Sequence, residues 1–225
     1  MIGPLRAAFH RRLRQRAAHL AGRIAPHLST GATVLDIGSG SGHNAEALRA
    51  RGARTCVEAD VVDFHVVGAG PVLFDGARLP FADRVFDACL LAFVLRYPDD
   101  PAALLREAGR VASRRVLVLQ SSPRGRAGRI ALRLRSWVQG RLAFRLCASL
   151  RLIPPSPTTL RTRRMLSRER VGELADEAGL KLARFVPECG LLGLVSRDLF
   201  VLERPSQAPG LATSATTPRS GAQCP

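Results

Sequence analysis

Apolar positions in this chain form short continuous runs that alternate with longer stretches in which they recur every three or four residues. The runs predict buried strands, and the longer spacing predicts amphipathic helices. Strands are predicted at 34–37, 55–59, 71–74, 86–93 and 115–120, and helices at 4–27, 43–50 and 101–111. Strands that alternate with helices in this way indicate βαβ units and a parallel sheet.

The last part of the folded region has a different order of elements. Ser167 is placed to cap a helix that runs to Ala178, with Gly179 at its C-terminal side. Two strands at 180–187 and 196–202 follow closely enough to pair in an antiparallel manner. Beyond Pro205 the chain is rich in Ser, Thr, Ala, Gly and Pro, which predicts disorder over 205–225. We therefore expect a basic helix at 1–30 and one domain at 31–204.

The most informative stretch is VLDIGSGSG at 34–42, in which a predicted strand runs directly into three glycines at 38, 40 and 42. Glycine allows a sharp turn and a close approach of the backbone to a ligand. The helix predicted from His43 would then present free backbone N–H groups to that ligand. Asp36 stands inside the apolar run, where its carboxylate could accept hydrogen bonds from a small molecule.

Two cofactor classes use a strand, a glycine loop and a helix of this kind. The dinucleotide fingerprint fits Gly40, Gly42 and Ala45, with Asp60 near the distance expected for a ribose acid, but it leaves Asp36 and Gly38 unexplained. The pattern Asp-x-Gly-x-Gly-x-Gly instead resembles the first motif of class I S-adenosylmethionine-dependent methyltransferases. In that family the loop backs the methionine part of the cofactor and the Asp steadies it.

The stretch from Phe74 to Val111 also resembles the small-molecule methyltransferases of the ubiquinone and menaquinone type. The resemblance implies that an acid ending the second strand binds the ribose hydroxyls, with Asp60 slightly favoured over Glu58. It implies that Asp75 accepts from the adenine amine. The full set of implied cofactor-binding residues is Asp36, Gly38, Ser39, Gly40, Gly42, Glu58, Asp60, Asp75, Gly76, Ala92 and Phe93, and no metal is implied.

The resemblance also implies a fold and marks one departure from the family. The fold is an α/β, Rossmann-like, seven-stranded and mostly parallel sheet with an antiparallel last strand and helices on both faces. Many relatives carry His where Arg96 and Tyr97 stand here, so the acceptor side of this chain differs from theirs. Tyr97 and His43 are candidates for a general base by their location, while the catalytic group itself stays unassigned.

The charge of the chain is concentrated in two segments. The formal net charge is +16; residues 1–30 hold six Arg and no acid, and residues 124–170 hold thirteen Arg and only Glu169. We interpret 124–166 as a variable cap whose part at 124–151 docks on an anionic membrane, or else forms a solvated lid. Two neighbouring stripes support the membrane interpretation: Arg129, Arg133, Arg141 and Arg145, and Leu134, Val138, Leu142 and Leu146.

These features favour an enzyme that methylates a small, apolar acceptor. A nucleic-acid methyltransferase would explain the Arg clusters, but only 5% of residues are aromatic and the sequence Asn/Asp-Pro-Pro-Tyr/Phe is absent. A non-catalytic binding module with the same fold would explain the departure at Arg96 and Tyr97. The five cysteines share no metal-like spacing, and no signal peptide or membrane span is evident, so we expect a cytoplasmic, soluble or peripheral protein.

Overall fold

The computed structural model describes residues 2–138, 164–190 and 193–205, and these form one mixed sheet with helices around it. Its strands are β1 (Thr33–Ile37), β2 (Thr55–Asp60), β3 (Val72–Leu73), β4 (Phe86–Ala92), β5 (Ala112–Pro123), β6 (Lys181–Val186), β7 (Cys189–Gly190) and β8 (Val195–Glu203). The order across the sheet is β3-β2-β1-β4-β5-β8-β6, and β7 pairs with β8 beside this path.

The strand directions confirm the predicted fold class. Strands β1 to β5 are parallel to one another, whereas β8 runs antiparallel to both β5 and β6. The seven strands of the main path therefore include an antiparallel last strand, as predicted, and β7 is a two-residue addition. Because the glycine loop follows β1, it lies at the carboxyl edge of the parallel strands, where open α/β sheets bind ligands.

Five α-helices surround the sheet in the described ranges, and two of them begin with a side-chain cap. The helices are α1 (Ile2–Ile24), α2 (His43–Arg49), α3 (Pro101–Val111), α4 (Gly125–Trp137) and α5 (Arg168–Glu177). The side chain of Asp100 accepts a hydrogen bond from the Ala103 N–H, and Pro101 occupies the first turn of α3. Ser167 accepts from the Arg170 N–H at the start of α5, as its sequence position predicts.

Alternate residues of each strand pack against different layers of helices. On β1, Leu35 and Ile37 belong to the core beneath α3 and α5, whereas Val34 belongs to the core with Leu20 and Ile24 of α1. This alternation confirms the prediction of helices on both faces. It also explains why the central strands read as continuous apolar runs, since both of their faces are covered.

β5 is longer than the predicted strand at 115–120. It pairs with β8 from Arg115 opposite Glu203 to Pro123 opposite Val195, so the ladder carries it past the apolar residues. The polar residues Gln120 and Ser122 are consequently buried near its end. Periodicity of apolar residues gave no sign of this extension.

Helix α4 includes the first residues of the two stripes predicted on the arginine-rich segment. Leu134 is 61% exposed and Val138 39% exposed, while Leu132 is the side chain that packs against the protein. The remaining stripe residues, Arg141, Arg145, Leu142 and Leu146, and the tail at 206–225 lie outside the described residues. Of the helices in the described ranges, none has the length and apolar character needed to cross a membrane.

Candidate functional site

The glycine loop at 38–42 connects β1 to α2 and is tied to the neighbouring strand. The backbone N–H groups of Gly38 and Ser39 donate to the Ala59 carbonyl, at 2.7 and 3.3 Å. Gly38, Gly40 and Gly42 all have positive φ, at 71°, 58° and 82°. This conformation favours glycine, so the sequence of the loop follows from its backbone geometry.

The three glycines meet different surroundings. A Cβ on Gly38 would lie 2.5 Å from Val94, and a Cβ on Gly42 would lie 2.4 Å from the Val67 carbonyl oxygen. A Cβ on Gly40 would meet no atom within 4 Å. Gly38 and Gly42 are therefore needed for packing within the protein, whereas Gly40 alone borders open space on the side where a ligand would lie.

Asp36 is a fully buried carboxylate at the foot of this loop. Neither of its oxygens has a hydrogen-bond partner among the described residues. Burial, and then the charges of Glu58 and Asp60, raise the pKa of Asp36 to about 8; the side-chain amide of Asn44 lies close enough to oppose this rise but not in hydrogen-bond geometry. Such a group is suited to a ligand that brings a positive charge or hydrogen-bond donors to it.

Glu58 and Asp60, the two candidate ribose acids, lie on one face of β2 with different partners. Both oxygens of Glu58 are engaged, by His65 Nε2 at 2.8 Å and by Arg49 Nη2 at 3.3 Å. Asp60 instead accepts from the Gly40 N–H at 2.9 Å and from the Val61 N–H at 2.7 Å. Asp60 therefore lies against the open part of the glycine loop, which favours it over Glu58 as the ribose acid.

Burial raises the pKa of Asp60, and backbone N–H groups, that of Gly40 first, oppose the rise. Asp75 behaves differently because it is exposed. Its Oδ1 accepts from the N–H groups of Ala77 and Arg78, each at 2.8 Å, and these bonds lower the pKa of Asp75. A Cβ on Gly76 would lie 3.3 Å from Val61, so the predicted adenine residues lie next to the end of β2.

The predicted methyl-side residues lie where β4 ends. Ala92 is the last residue of the strand, and Phe93 has φ of 64°, an uncommon conformation for a bulky residue. Its N–H donates to the Leu119 carbonyl at 2.7 Å. Val94 follows and contacts Gly38, so this turn closes the glycine loop on one side.

The two base candidates are separated. His43 is buried beside α1, where its ring centroid is 5.7 Å from that of His10 and its Nε2 has no hydrogen-bond partner among the described residues. Burial and then His10 lower the pKa of His43. Tyr97 lies beyond Phe93, and none of the contacts in the described ranges joins it to His43.

The sheet thus brings most of the predicted residues together at one edge. Asp36 lies opposite Glu58 in the strand register, and Asp60 lies opposite Leu73, one residue before the Phe74–Asp75 turn. Ser39 is buried, and its Oγ also has no hydrogen-bond partner among the described residues. Buried polar atoms that need partners and the open side of Gly40 fit a polar ligand with a cationic part.

A separate open groove of about 940 Å³ lies at the opposite edge of the sheet. Its lining includes Asp87 near the start of β4, Arg115 near the start of β5 and Glu203 at the end of β8. Because these are the amino ends of the parallel strands, the groove is remote from the glycine loop. Its volume is therefore not evidence against a ligand site at the glycine loop.

Sequence reasoning missed several residues at the carboxyl edge. His65 binds Glu58, and Arg16 lies with its Cζ 5.2 Å from the ring centroid of Phe93. Arg135 and Arg197 lie near Arg16, close enough for their charges to lower its pKa after burial has done so. The lack of acids in residues 1–30 indicated that the arginines of this segment have a role, but no local sequence pattern connects Arg16 to Phe93.

Comparisons with known proteins agree with this geometry. The family described as "Methyltransferase domain" matches residues 9–183. The chain is also 42% identical over 96 residues to the demethylmenaquinone methyltransferase of Mycolicibacterium paratuberculosis. That match covers 40% of this chain and 41% of the relative, so the chain matches less than half of the length of this curated protein.

Solved structures show the same fold at low identity. The magnesium protoporphyrin IX methyltransferase from Synechocystis PCC 6803, solved with bound SAH, has a TM-score of 0.55 at 16% identity and covers 85% of this chain and 83% of its own. The [4+2]-cyclase SpnF has a TM-score of 0.60 at 16% identity, with coverages of 85% and 82%. Since the family match extends over most of the chain and includes the glycine loop, the protein belongs to the class I S-adenosylmethionine-dependent methyltransferases.

Proposed function

We propose that this protein binds S-adenosylmethionine at the carboxyl edge of β1, β2 and β4 and transfers its methyl group to a small aromatic, quinone-like acceptor. The observation that carries the proposal is the pairing of Asp36 with Gly40. Asp36, a buried carboxyl group without a hydrogen-bond partner among the described residues, lies on the strand that leads into the loop where Gly40 leaves open space. A ligand with a cationic part would meet both conditions.

The residues of the chain have positioning roles in this proposal. Asp36 accepts hydrogen bonds from the methionine part, Asp60 binds the ribose hydroxyls, and Asp75 accepts from the adenine amine. When bound, the cofactor supplies a methyl group that its sulfonium already activates, so the protein chiefly orients the acceptor and excludes water. Phe93, 7% exposed at the end of β4, is placed to exclude water there.

An oxygen acceptor would also need a base, whereas an electron-rich carbon would not. Burial lowers the pKa of His43, which favours the neutral ring with which a general base must begin. Tyr97 lies nearer to Phe93 along the chain and is the other candidate. Both assignments stay predictions.

The acceptor class rests on the demethylmenaquinone methyltransferase relative, whose match spans only part of each chain. The neighbour SpnF is a cyclase with the same fold, so the fold alone does not fix the reaction. The decisive measurement must therefore follow the methyl group itself.

We expect the purified protein to transfer tritiated methyl from S-adenosylmethionine to at least one member of a panel of hydroquinones, naphthoquinols and catechols. Release of S-adenosylhomocysteine in step with labelled product would identify methyl transfer, and Gly40→Val serves as the inactive control. Label found only in added DNA or RNA would replace the proposal by the nucleic-acid alternative. Cofactor binding without label in any acceptor would favour a non-catalytic binding module.

We further propose that α4 docks this enzyme on an anionic membrane. Three large apolar side chains on α4 are exposed, namely Ile130 at 66%, Leu134 at 61% and Trp137 at 55%. They recur at spacings of four and three, so they share one side of the helix, and Arg129 and Arg133 are also exposed. An apolar side flanked by arginines is typical of a helix that lies in the membrane interface.

Each Arg near an anionic surface contributes about 1 kcal/mol, so association should be measurable and sensitive to salt. We expect co-sedimentation with phosphatidylglycerol vesicles at low salt and a blue shift of the emission of Trp137, the only tryptophan of the chain. The double variant Arg129→Gln/Arg133→Gln should lose binding, whereas Arg106→Gln/Arg170→Gln, with the same charge change, should keep it. Equal binding of the two double variants would contradict membrane docking through Arg129 and Arg133 and would favour a solvated lid.

A further inference from the structure

Four arginines from four different elements gather beside the end of β4. They are Arg16 on α1, Arg96 after β4, Arg135 on α4 and Arg197 on β8, and we call them the arginine cluster. Arg197 lies opposite Ser121 in the ladder between β5 and β8, near the carboxyl end of β5. The cluster therefore lies at the same edge of the sheet as the glycine loop.

Two of these arginines stack on aromatic rings at this edge. The Cζ of Arg16 lies 5.2 Å from the ring centroid of Phe93, and the Cζ of Arg96 lies 5.3 Å from that of Tyr97. The Nε of Arg96 is buried and has no hydrogen-bond partner among the described residues. A guanidinium held on a ring keeps a fork of N–H donors that matches a carboxylate or a phosphate.

The cluster lacks compensating negative charge. No carboxylate in the described ranges forms an ion pair with Arg16, Arg96 or Arg135. Arg197 has Glu188 at 3.4 Å, but that carboxylate is shared with Arg23 and His19. All 18 Asp and Glu of the chain fall within the described ranges, so the other residues have no carboxylate side chain to supply.

The electrostatic consequence is visible in the arginines themselves. Burial lowers the pKa of Arg16, and the charges of Arg135, Arg96 and Arg197 lower it further. Burial and then Arg96 and Arg197 likewise lower the pKa of Arg135. Like charges held near one another repel, and an anion that joins them relieves this repulsion.

The cluster also adjoins the glycine loop through the chain. Phe93, which stacks on Arg16, is followed by Val94, whose side chain contacts Gly38. A small molecule next to this turn could therefore reach both the loop and the arginines. Arg16 and Arg135 retain solvent exposure, so a ligand could approach them.

We propose that the methyl acceptor carries an anionic group, a carboxylate or a phosphate, which the arginine cluster binds while the rest of the acceptor lies toward the glycine loop. This inference rests on the proposed function and restricts its acceptor to compounds that carry an anionic group. It also gives a role to Arg96, one of the two residues, with Tyr97, at which the sequence departs from the family pattern that it resembles. Arg11, an exposed arginine on the same helix as Arg16, serves as the control.

The test is calorimetry on the full chain saturated with S-adenosylhomocysteine, using three probes. They are 4-hydroxybenzoate, its neutral methyl ester, and phenyl phosphate, which separates a phosphate preference from a carboxylate one. We expect an anionic probe to bind at least tenfold more tightly than the ester, and less tightly as salt rises. Arg16→Gln and Arg96→Gln should each remove most of this preference, whereas Arg11→Gln should keep it.

Each outcome decides between the two proposals. Failure to bind S-adenosylhomocysteine would overturn the proposed function. Normal binding of that compound together with equal affinity for acid and ester, or with no binding of any probe at millimolar concentration, would overturn the anionic acceptor alone. Tight binding of a single-stranded oligonucleotide that Arg16→Gln abolishes would make the cluster a nucleic-acid surface and overturn it too.

Discussion

Replacing Gly40 by valine is expected to abolish binding of S-adenosylmethionine. The position has φ of 58°, and a Cβ there meets no protein atom within 4 Å, so the added side chain extends into the open space at the loop, whose Gly40 N–H binds Asp60. The fold should survive, because the cost is the left-handed backbone alone, roughly 1–2 kcal/mol for a residue with a Cβ. Isothermal titration calorimetry would show the loss directly.

Gly31→Val is a matched control for this variant. Gly31 has φ of 68° in the turn before β1, and a Cβ there also meets nothing within 4 Å. Both variants should lose similar stability in thermal unfolding, but only Gly40→Val should lose the cofactor. Unchanged affinity in Gly40→Val, or tight binding of NAD to the parent, would show that the loop serves another ligand.

Much of the fold could be predicted from the sequence because helices cover both faces of the sheet, and the central strands are therefore largely apolar. Most positions of a doubly covered strand are apolar, so runs such as 86–93 identify β4 without any knowledge of its neighbours. Local capping chemistry did the same for α5, which begins after Ser167 as predicted. These features depend only on residues close in sequence.

The roles of the glycines could not be predicted in this way. The glycines of the loop are required for different reasons. The Val94 side chain leaves no room for a larger residue at position 38, and the Val67 carbonyl leaves none at position 42. Those neighbours lie far along the chain. The sequence alone indicated a ligand at all three positions, and only the packing separates Gly40 from the other two.

Orientation was the weak point for α4 and for the arginines. Helical periodicity correctly predicted an amphipathic segment, but it could not decide whether Leu134 would face the protein or the solvent. The arginine cluster likewise combines α1, α4, β8 and the turn after β4, and only the sheet order brings these together. Charge counting located an excess of arginine but not the place where four of these arginines come together.

Asp60→Ala is expected to weaken binding of S-adenosylmethionine by roughly 1.5–3 kcal/mol, about 10- to 150-fold, the range for hydrogen bonds to a charged group. The carboxylate of Asp60 lies 2.9 Å from the Gly40 N–H, next to the open side of the loop. Glu58 is the matched control, because its carboxylate binds the side chains of His65 and Arg49 rather than the glycine loop. Glu58→Ala should therefore lower the free energy of unfolding and change the affinity much less.

A second variant separates loss of the ligand contact from loosening of the glycine loop. Asp60→Asn keeps one oxygen that can accept from the Gly40 N–H, but it cannot offer two acceptor oxygens to a pair of hydroxyls. An affinity loss in both Asp60 variants, with calorimetric titration and urea unfolding measured side by side, would assign the ribose contact to Asp60. A loss confined to Glu58→Ala would instead place the ribose two residues earlier on β2, with the pair between Glu58 and His65 breaking to admit the cofactor.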